Sequence, residues 1–352
     1  MIKLSTRIKR FSSIFIILIL LSATINGCFN SSNSSKIINV FNCGDYINED
    51  LISKFEQETG YKIQYSTYDT NEIMYSKLKA GSNNYDLVFP SDYMIEKMIN
   101  EDMLEKIDFN NIPNYKYIDD KFKNLDYDPT NEYSIPYMWG TIGIIYNPNY
   151  VDEPVDSFDV LWNQKYDKEI IMFNSVRDTM AISLKRLGYS MNSTNHNEIS
   201  KAADELIVQK PIVKAWFVDQ VKDAMINNEA YLSAVWSGDA IYIMSENPSL
   251  KYVVPSSGSN KWFDGMCIPK NAKHKQGAEE FINFLTEPEN SKENVDYIGY
   301  YTPNKETFKM LEDDIKELYP SDELLDKCEI FKNLDKKTLE YYDDEWIRIG
   351  SF

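Results

Sequence analysis

The chain has 352 residues, 37 of them basic and 55 acidic, for a formal charge of −18; this sign argues against nucleic acid as a partner. Its two histidines, His196 and His274, lie far apart in sequence and leave almost no material for a zinc site or a histidine-based triad. With 14% aromatic residues, the roughly 320 residues that follow a leader are ample for two modest domains.

Lys3, Arg7, Lys9 and Arg10 precede an apolar run over residues 11–24, which reaches Ile25-Asn26-Gly27-Cys28. This is the layout of an export signal, and the run is short for a bilayer crossing. The small residue before Cys28 resembles a lipobox, the bacterial signal for cleavage ahead of a cysteine that is then acylated. Residues 1–27 are therefore expected to be a lipoprotein signal peptide, Cys28 the lipid attachment point and residues 28–36 a flexible tether. Cleavage would remove four basic and no acidic side chains, moving the formal charge to −22. An acidic surface fits a cationic ligand, and it also serves solubility. With Cys28 claimed by the anchor, Cys43, Cys267 and Cys328 offer no pairing that uses all three, so no disulfide framework is expected.

Residues 37–43 form a short run rich in β-branched side chains, followed by Gly44-Asp45-Tyr46 and by Asn48, which suits the N-cap of a helix closed by Gly60. Alternation over 63–68 predicts a second strand, 71–80 a helix ended by Gly81, and 85–90 a third strand leading to Ser91-Asp92-Tyr93. Repeated strand and helix segments mean a sheet covered by helices, with ligands beyond the carboxyl ends of the strands, where Asp45, Tyr46, Ser91 and Tyr93 would stand. Residues 134–140 lead into a strand over 142–148 that leaves the first lobe for the second. Residues 169–174 read as a strand, Ser175 to Asp178 open a helix ended by Gly188, and a strand ends at Trp236. A segment around Trp262 follows, then a return through 265–269, an amphipathic helix over 275–286 stopped by Pro288, and a helical, acidic tail from 305.

Two pairings stand out. Trp262 and Asp264, two residues apart in an extended segment, project from one face of the chain, and Trp236 with Asp239 follows an apolar run. A ring beside an acid is the chemistry that holds an organic ammonium ion.

The strings Tyr65-Ser66-Thr67-Tyr68, Asn71-Glu72, Tyr85-Asp86-Leu87-Val88, Pro90-Ser91, Ser134-Ile135-Pro136-Tyr137, Trp139-Gly140, Leu187-Gly188-Tyr189-Ser190, Trp262-Phe263-Asp264, Ile282-Asn283-Phe284-Leu285 and Ile298-Gly299-Tyr300 occur in this order. Together they resemble the extracytoplasmic solute-binding components of polyamine ABC transporters, from residue 37 to about 342. The resemblance implies an α/β, two-lobed, periplasmic-binding-protein-like fold of type II, each lobe a mixed sheet flanked by helices, with a hinge between. It implies lobes at 37–142 plus 265–311 and at 143–264 plus 312–352. It further implies a lipid-anchored extracytoplasmic receptor, monomeric and not an enzyme, that takes up putrescine or spermidine without cofactor or metal and delivers it to ABC permease subunits. Asp45, Tyr46, Ser91, Tyr93, Asp178, Trp236, Asp239, Trp262, Asp264 and Tyr300 stand where the motifs place ligand-binding residues. Cys43 replaces a ring of the spermidine receptors, Ser175 replaces one of two nearby acids, and Asp239 and Asp45 resemble the putrescine branch; which polyamine is preferred stays open.

Each position also has a plain structural reading. Asp239 suits an N-cap for residues 240–245, Ser175 with Asp178 matches a capping box, Asp45 suits a turn, and single tyrosines more often pack than bind. Two alternatives differ in function: a receptor of the same fold for another cationic or polar solute, and an exported hydrolase that uses paired acids such as Asp239 and Asp264.

Overall fold

The computed structural model describes residues 36–44, 46–81 and 84–351. The export signal, Cys28 and Asp45 lie outside the described residues.

Strand β1 (Ile37–Cys43), helix α1 (Glu49–Thr59), β2 (Lys62–Tyr68), α2 (Asn71–Lys79), the short β3 (Leu87–Val88) and α3 (Asp92–Asn100) alternate as the periodicity predicts. Asn48 caps α1 by accepting from the Asp50 amide, Gly60 closes it at φ +73°, and Thr70 caps α2 through the Ile73 amide. The two apolar stretches expected around 134–148 form one continuous strand, β4 (Ser134–Tyr146), buried along its whole length except at Tyr146. That burial pattern belongs to a strand covered on both faces. Then come β5 (Ile170–Phe173), α4 (Val176–Arg186), α5 (His196–Gln209), β6 (Val213–Phe217), α6 (Val221–Ile226), β7 (Leu232–Trp236), α7 (Ser237–Glu246), β8 (Lys251–Val253) and β9 (Lys261–Cys267). Helix α8 (Lys275–Leu285) stops before Pro288, and that proline opens α9 (Pro288–Ile298) at its first position, where no amide donor is needed.

The strands run in the order β2-β1-β3-β9-β4-β7-β5-β6, with β8 also paired to β4. Residues 134–141 of β4 pair with β9, and residues 142–146 pair with β7. One strand therefore belongs to both halves of the sheet, and the change of partner falls between Thr141 and Ile142. Alternating side chains place a core on each face of each half. In the first half Ile38, Leu87 and Ile135 pack with Leu51 and Phe281, while Phe41, Val88 and Trp139 pack with Met74 and Ile95 on the other side. In the second half Ile142, Ile144 and Met172 pack with Ile182, and Ile145, Ile171 and Val235 pack with Val221 and Ile243.

The tail divides between the halves. Leu311 and Leu325 join cores of the first half, with Ile315 and Tyr319 packed against them, whereas Tyr342 and Ile349 of α13 (Lys336–Ser351) pack with Met180 and Leu206 of the second; α10 (Lys305–Met310), α11 (Asp313–Lys316) and α12 (Asp322–Leu325) fill the interval. Phe263 of β9 likewise sits in a first-half core. A second crossing between the halves runs where Asn260 bridges Glu329, with the Lys261 amide donating to the Glu329 carbonyl at 3.0 Å.

Gly258 stands at that crossing with φ +86°, and a Cβ there would lie 2.1 Å from the Lys327 carbonyl oxygen. Gly258→Ala is expected to lower stability by about 2 kcal/mol or more, since it combines left-handed strain with a backbone clash; urea denaturation checks this, and an unchanged midpoint would show that the crossing yields freely.

Candidate functional site

Asp264 lies in β9, opposite Met138 of β4, and Trp262 lies opposite Gly140. Alternation puts the indole and the carboxylate on one face. The glycine is required by the ring: a Cβ at Gly140 would come within 2.4 Å of the Trp262 ring and 2.7 Å of the Ser237 hydroxyl. Tyr46, just beyond β1, donates from its hydroxyl to Asp264 Oδ2 at 2.6 Å. Its backbone is held in turn, because the Tyr46 carbonyl accepts from the Tyr137 hydroxyl at 2.6 Å, and that hydroxyl accepts from Asn294 at 2.7 Å. Ser91 bridges Asp264 through its backbone and is fixed by a pair of hydrogen bonds with the Asn71 amide group.

Tyr300 completes this group. Its ring stands edge-on to Trp262, centroids 5.0 Å apart, and edge-on to Tyr46 at 5.7 Å. Gly299, at φ +84°, ends α9 and aims the ring, and a Cβ on Gly238 would lie 2.2 Å from it. The Tyr300 hydroxyl reaches Asp239 Oδ1 at 3.5 Å. Asp239 is the third residue of α7, whose N-cap position is Trp236, so it lies inside the first turn and does not cap the helix. Lys222 Nζ lies 3.9 Å from Asp239 Oδ1.

A second group forms around Asp178, the third residue of α4. The Ser175 hydroxyl donates to Asp178 Oδ2, while the Ser175 side chain makes no capping bond to the backbone. The Trp236 side chain lies close enough to Asp178 to favour its ionised form, and its ring lies 4.7 Å from that of Phe173. Tyr93 donates to Glu72 Oε1 at 2.9 Å. Trp236 pairs with Ile142 and Trp262 with Gly140, so the two indoles flank β4 on either side of its change of partner. Of the ten residues expected to bind, Tyr46, Trp262, Asp264, Tyr300 and Asp239 are linked directly, with Ser91 beside Asp264. Trp236 and Asp178 form a contact of their own, Tyr93 turns to Glu72, and Asp45 falls outside the described residues. Pattern reading missed Lys222, Glu72, Tyr137, Asn294 and Arg177. Lys222, Asn294 and Arg177 carry no local motif, Glu72 and Tyr137 fall within the quoted strings with no role given to them there, and each reaches its partner through the fold.

The electrostatics have one dominant cause. Burial pushes the carboxyls of Asp264 and Asp239 up to about 6; the Ser91 and Tyr46 hydroxyls oppose this at Asp264, and Lys222 opposes it at Asp239. Asp178 is raised by burial too, with Ser175, Trp236 and the Arg177 guanidinium pulling the other way. Burial pushes the Cys43 thiol up to about 11, aided by Asp264, so the thiol is protonated and inert. Asp264 is 9% exposed. Its second oxygen, Oδ1, and the Trp262 indole nitrogen are buried with no hydrogen-bond partner among the described residues. Buried acceptors are rarely left this way, and an anionic one calls for a cationic donor. A depression of about 370 Å3 lined by Phe55, Glu58, Glu280 and Phe284 touches none of the candidate residues. Among the described residues no cluster of histidine, cysteine and acidic side chains could hold a metal ion.

A raised carboxyl destabilises the fold once it ionises. The cost of Asp264 is absent below the ordinary carboxyl value of 3.8, grows as the pH rises to about 6, and persists above. Asp264→Asn, which can keep the bond from Tyr46, is expected to raise the thermal midpoint at pH 7.5 and to leave it unchanged near pH 4; equal shifts at both values would show that the carboxylate carries no desolvation cost.

Against known proteins, residues 50–319 match the family described as bacterial extracellular solute-binding protein. A spermidine/putrescine-binding periplasmic protein of Salmonella typhimurium is 37% identical over 82% of this chain and 84% of its own length. The putrescine-binding periplasmic protein SpuD of Pseudomonas aeruginosa is 33% identical over 97% of this chain and 99% of its own. The solved substrate-binding protein PotD of a Streptococcus pneumoniae spermidine/putrescine ABC transporter superposes with a TM-score of 0.81 at 39% identity, covering 90% of this chain and 99% of that one. With a family match across most of its length and relatives this similar, the chain belongs to the bacterial extracellular solute-binding proteins and has their α/β binding-protein fold.

Proposed function

We propose that this protein captures a polyamine, a linear dication or trication such as putrescine or spermidine, and hands it to the permease subunits of an ABC transporter without chemical change. The observation that carries this reading is Oδ1 of buried Asp264, which has no hydrogen-bond partner among the described residues and is set among Tyr46, Trp262 and Tyr300. An ammonium group supplies both the missing donor and the missing counter-charge, and its methylenes lie against the rings. Each ammonium on an aromatic face is worth roughly 0.5 to 2 kcal/mol and each charge-assisted hydrogen bond roughly 1.5 to 3. Several such contacts must act together, because a floppy ligand loses freedom when it is held. Asp239 and Asp178 receive the remaining charge, Ser91, Tyr93 and Trp236 complete the walls, and Asp45 is assigned to binding on the sequence resemblance alone. The polyamine-binding relatives support the ligand class.

The ligand lies between two lobes that close on each other. The first comprises 37–142 and 261–325 and the second 143–260 and 326–352; the packing of Phe263 and Leu325 supports giving 261–264 and 312–325 to the first and not to the second, where the sequence alone put them. Residues 1–27 direct export, acylated Cys28 holds the protein at the outer face of the membrane, and one copy suffices for capture.

Calorimetric titration with putrescine and spermidine at two salt concentrations tests the proposal by separating crevice contacts from general attraction to an acidic protein; no uptake of either amine at millimolar concentration would remove it. Asp264→Ala is expected to weaken binding by more than about tenfold, since an ammonium would be left without its counter-charge; an unchanged affinity would make Asp264 purely structural. Because Asp264 and Asp239 protonate near pH 6 and a neutral carboxyl cannot pair with an ammonium, affinity is expected to fall as the pH drops from 7.5 to 5. A flat pH profile would place the ligand elsewhere.

A further inference from the structure

We propose that Lys222 decides between shorter and longer amines by holding its own ammonium at the Asp239 end of the site, an inference that rests on the polyamine reading above. Lys222 sits in α6, whose Val221, Ala224 and Met225 share a core with Ala240 and Ile243 of α7, the helix that bears Asp239. The backbone at 222 is therefore fixed relative to that carboxylate. Its Nζ lies 3.9 Å from Asp239 Oδ1 and 3.7 Å from Asp219 Oδ1.

The simplest alternative is a surface pair between Asp219 and Lys222, three residues apart on one turn. Exposure decides the matter: the Asp219 side chain is 81% exposed, so its attraction is largely screened, whereas the Asp239 side chain is 11% exposed. The attraction that counts is the one to the buried acid. Lys222 is also the strongest influence keeping that acid ionised against its burial.

The chemistry of the side chain gives this contact its meaning. A lysine is four methylenes ending in an ammonium, the same aminobutyl arm that putrescine and spermidine carry. Lys222 is thus a tethered copy of a ligand arm, present at a high effective concentration beside Asp239. A diamine can engage Asp264 and leave this resident ammonium in place. A triamine brings a further charge that Asp239 accepts only by displacing Lys222, so longer amines bear a penalty that shorter ones escape.

The test is a calorimetric comparison of putrescine with spermidine on the wild-type protein, Lys222→Met, Lys222→Arg, Asp239→Asn, and Lys222→Met combined with Asp239→Asn, with thermal midpoints recorded to confirm folding. Lys222→Met is expected to tighten spermidine about tenfold while changing putrescine less than about threefold, and Lys222→Arg to retain the wild-type ratio. In the Asp239→Asn background the Lys222→Met change should no longer move the ratio. The proposal is overturned by equal tightening of both amines, by no change, or by a ratio shift that persists without the Asp239 carboxylate, which would mark a general field effect. If wild-type protein takes up neither amine, the polyamine reading itself falls; if it binds both and the ratio stays put in Lys222→Met, the role of Lys222 alone is lost.

Discussion

A buried carboxylate with one oxygen unanswered among the described residues is the constraint around which this protein is arranged. Asp264 is kept out of water by the sheet behind it and by three rings beside it, and the short hydroxyl bond from Tyr46 anchors it. Holding a negative charge in that condition is unfavourable in isolation, so the surroundings must be rigid enough to prevent collapse onto it or flooding around it. The relay from Asn294 through Tyr137 to the Tyr46 backbone supplies part of that rigidity, and the cores on both faces of the sheet supply the rest.

The other two acids are treated differently. Asp178 has the Arg177 guanidinium nearby, itself laid over the rings of Phe331 and Tyr342, and Asp239 has Lys222. At Asp264 the groups that offset burial are hydroxyls. A cation thus stands beside two of these three acids, and the third has none beside it among the described residues. Such an arrangement gives up stability at neutral pH in the place where a receptor needs attraction, as binding sites commonly do.

Much of this is visible in the order of residues, for identifiable reasons. Trp262 and Asp264 are readable as a pair because a strand repeats every two residues, and the caps Asn48 and Gly60 announce α1 because their chemistry is local. The features that escape such reading depend on chain segments far apart. Asp239 resembles a cap until the helix is seen to start two residues earlier. Pro288 looks like a terminator and is a beginning. Lys222 and Arg177 are ordinary charged residues in sequence, and they acquire roles only when α6 is set against α7 and α4 against the tail. The distribution of residues 312–325 follows from which apolar surface they meet, which no local pattern encodes.

The change of partner along β4 has a mechanical consequence. Rotation of one half against the other about that point displaces each atom in proportion to its distance from the fulcrum. In the closure proposed above, Trp262 and Trp236, beside that point, would travel least, whereas β2 and β6, at opposite ends of the strand order, would sweep the widest arcs. The spacing of the two indoles would then be set by the strand itself and the approach of the outer strands by the rotation.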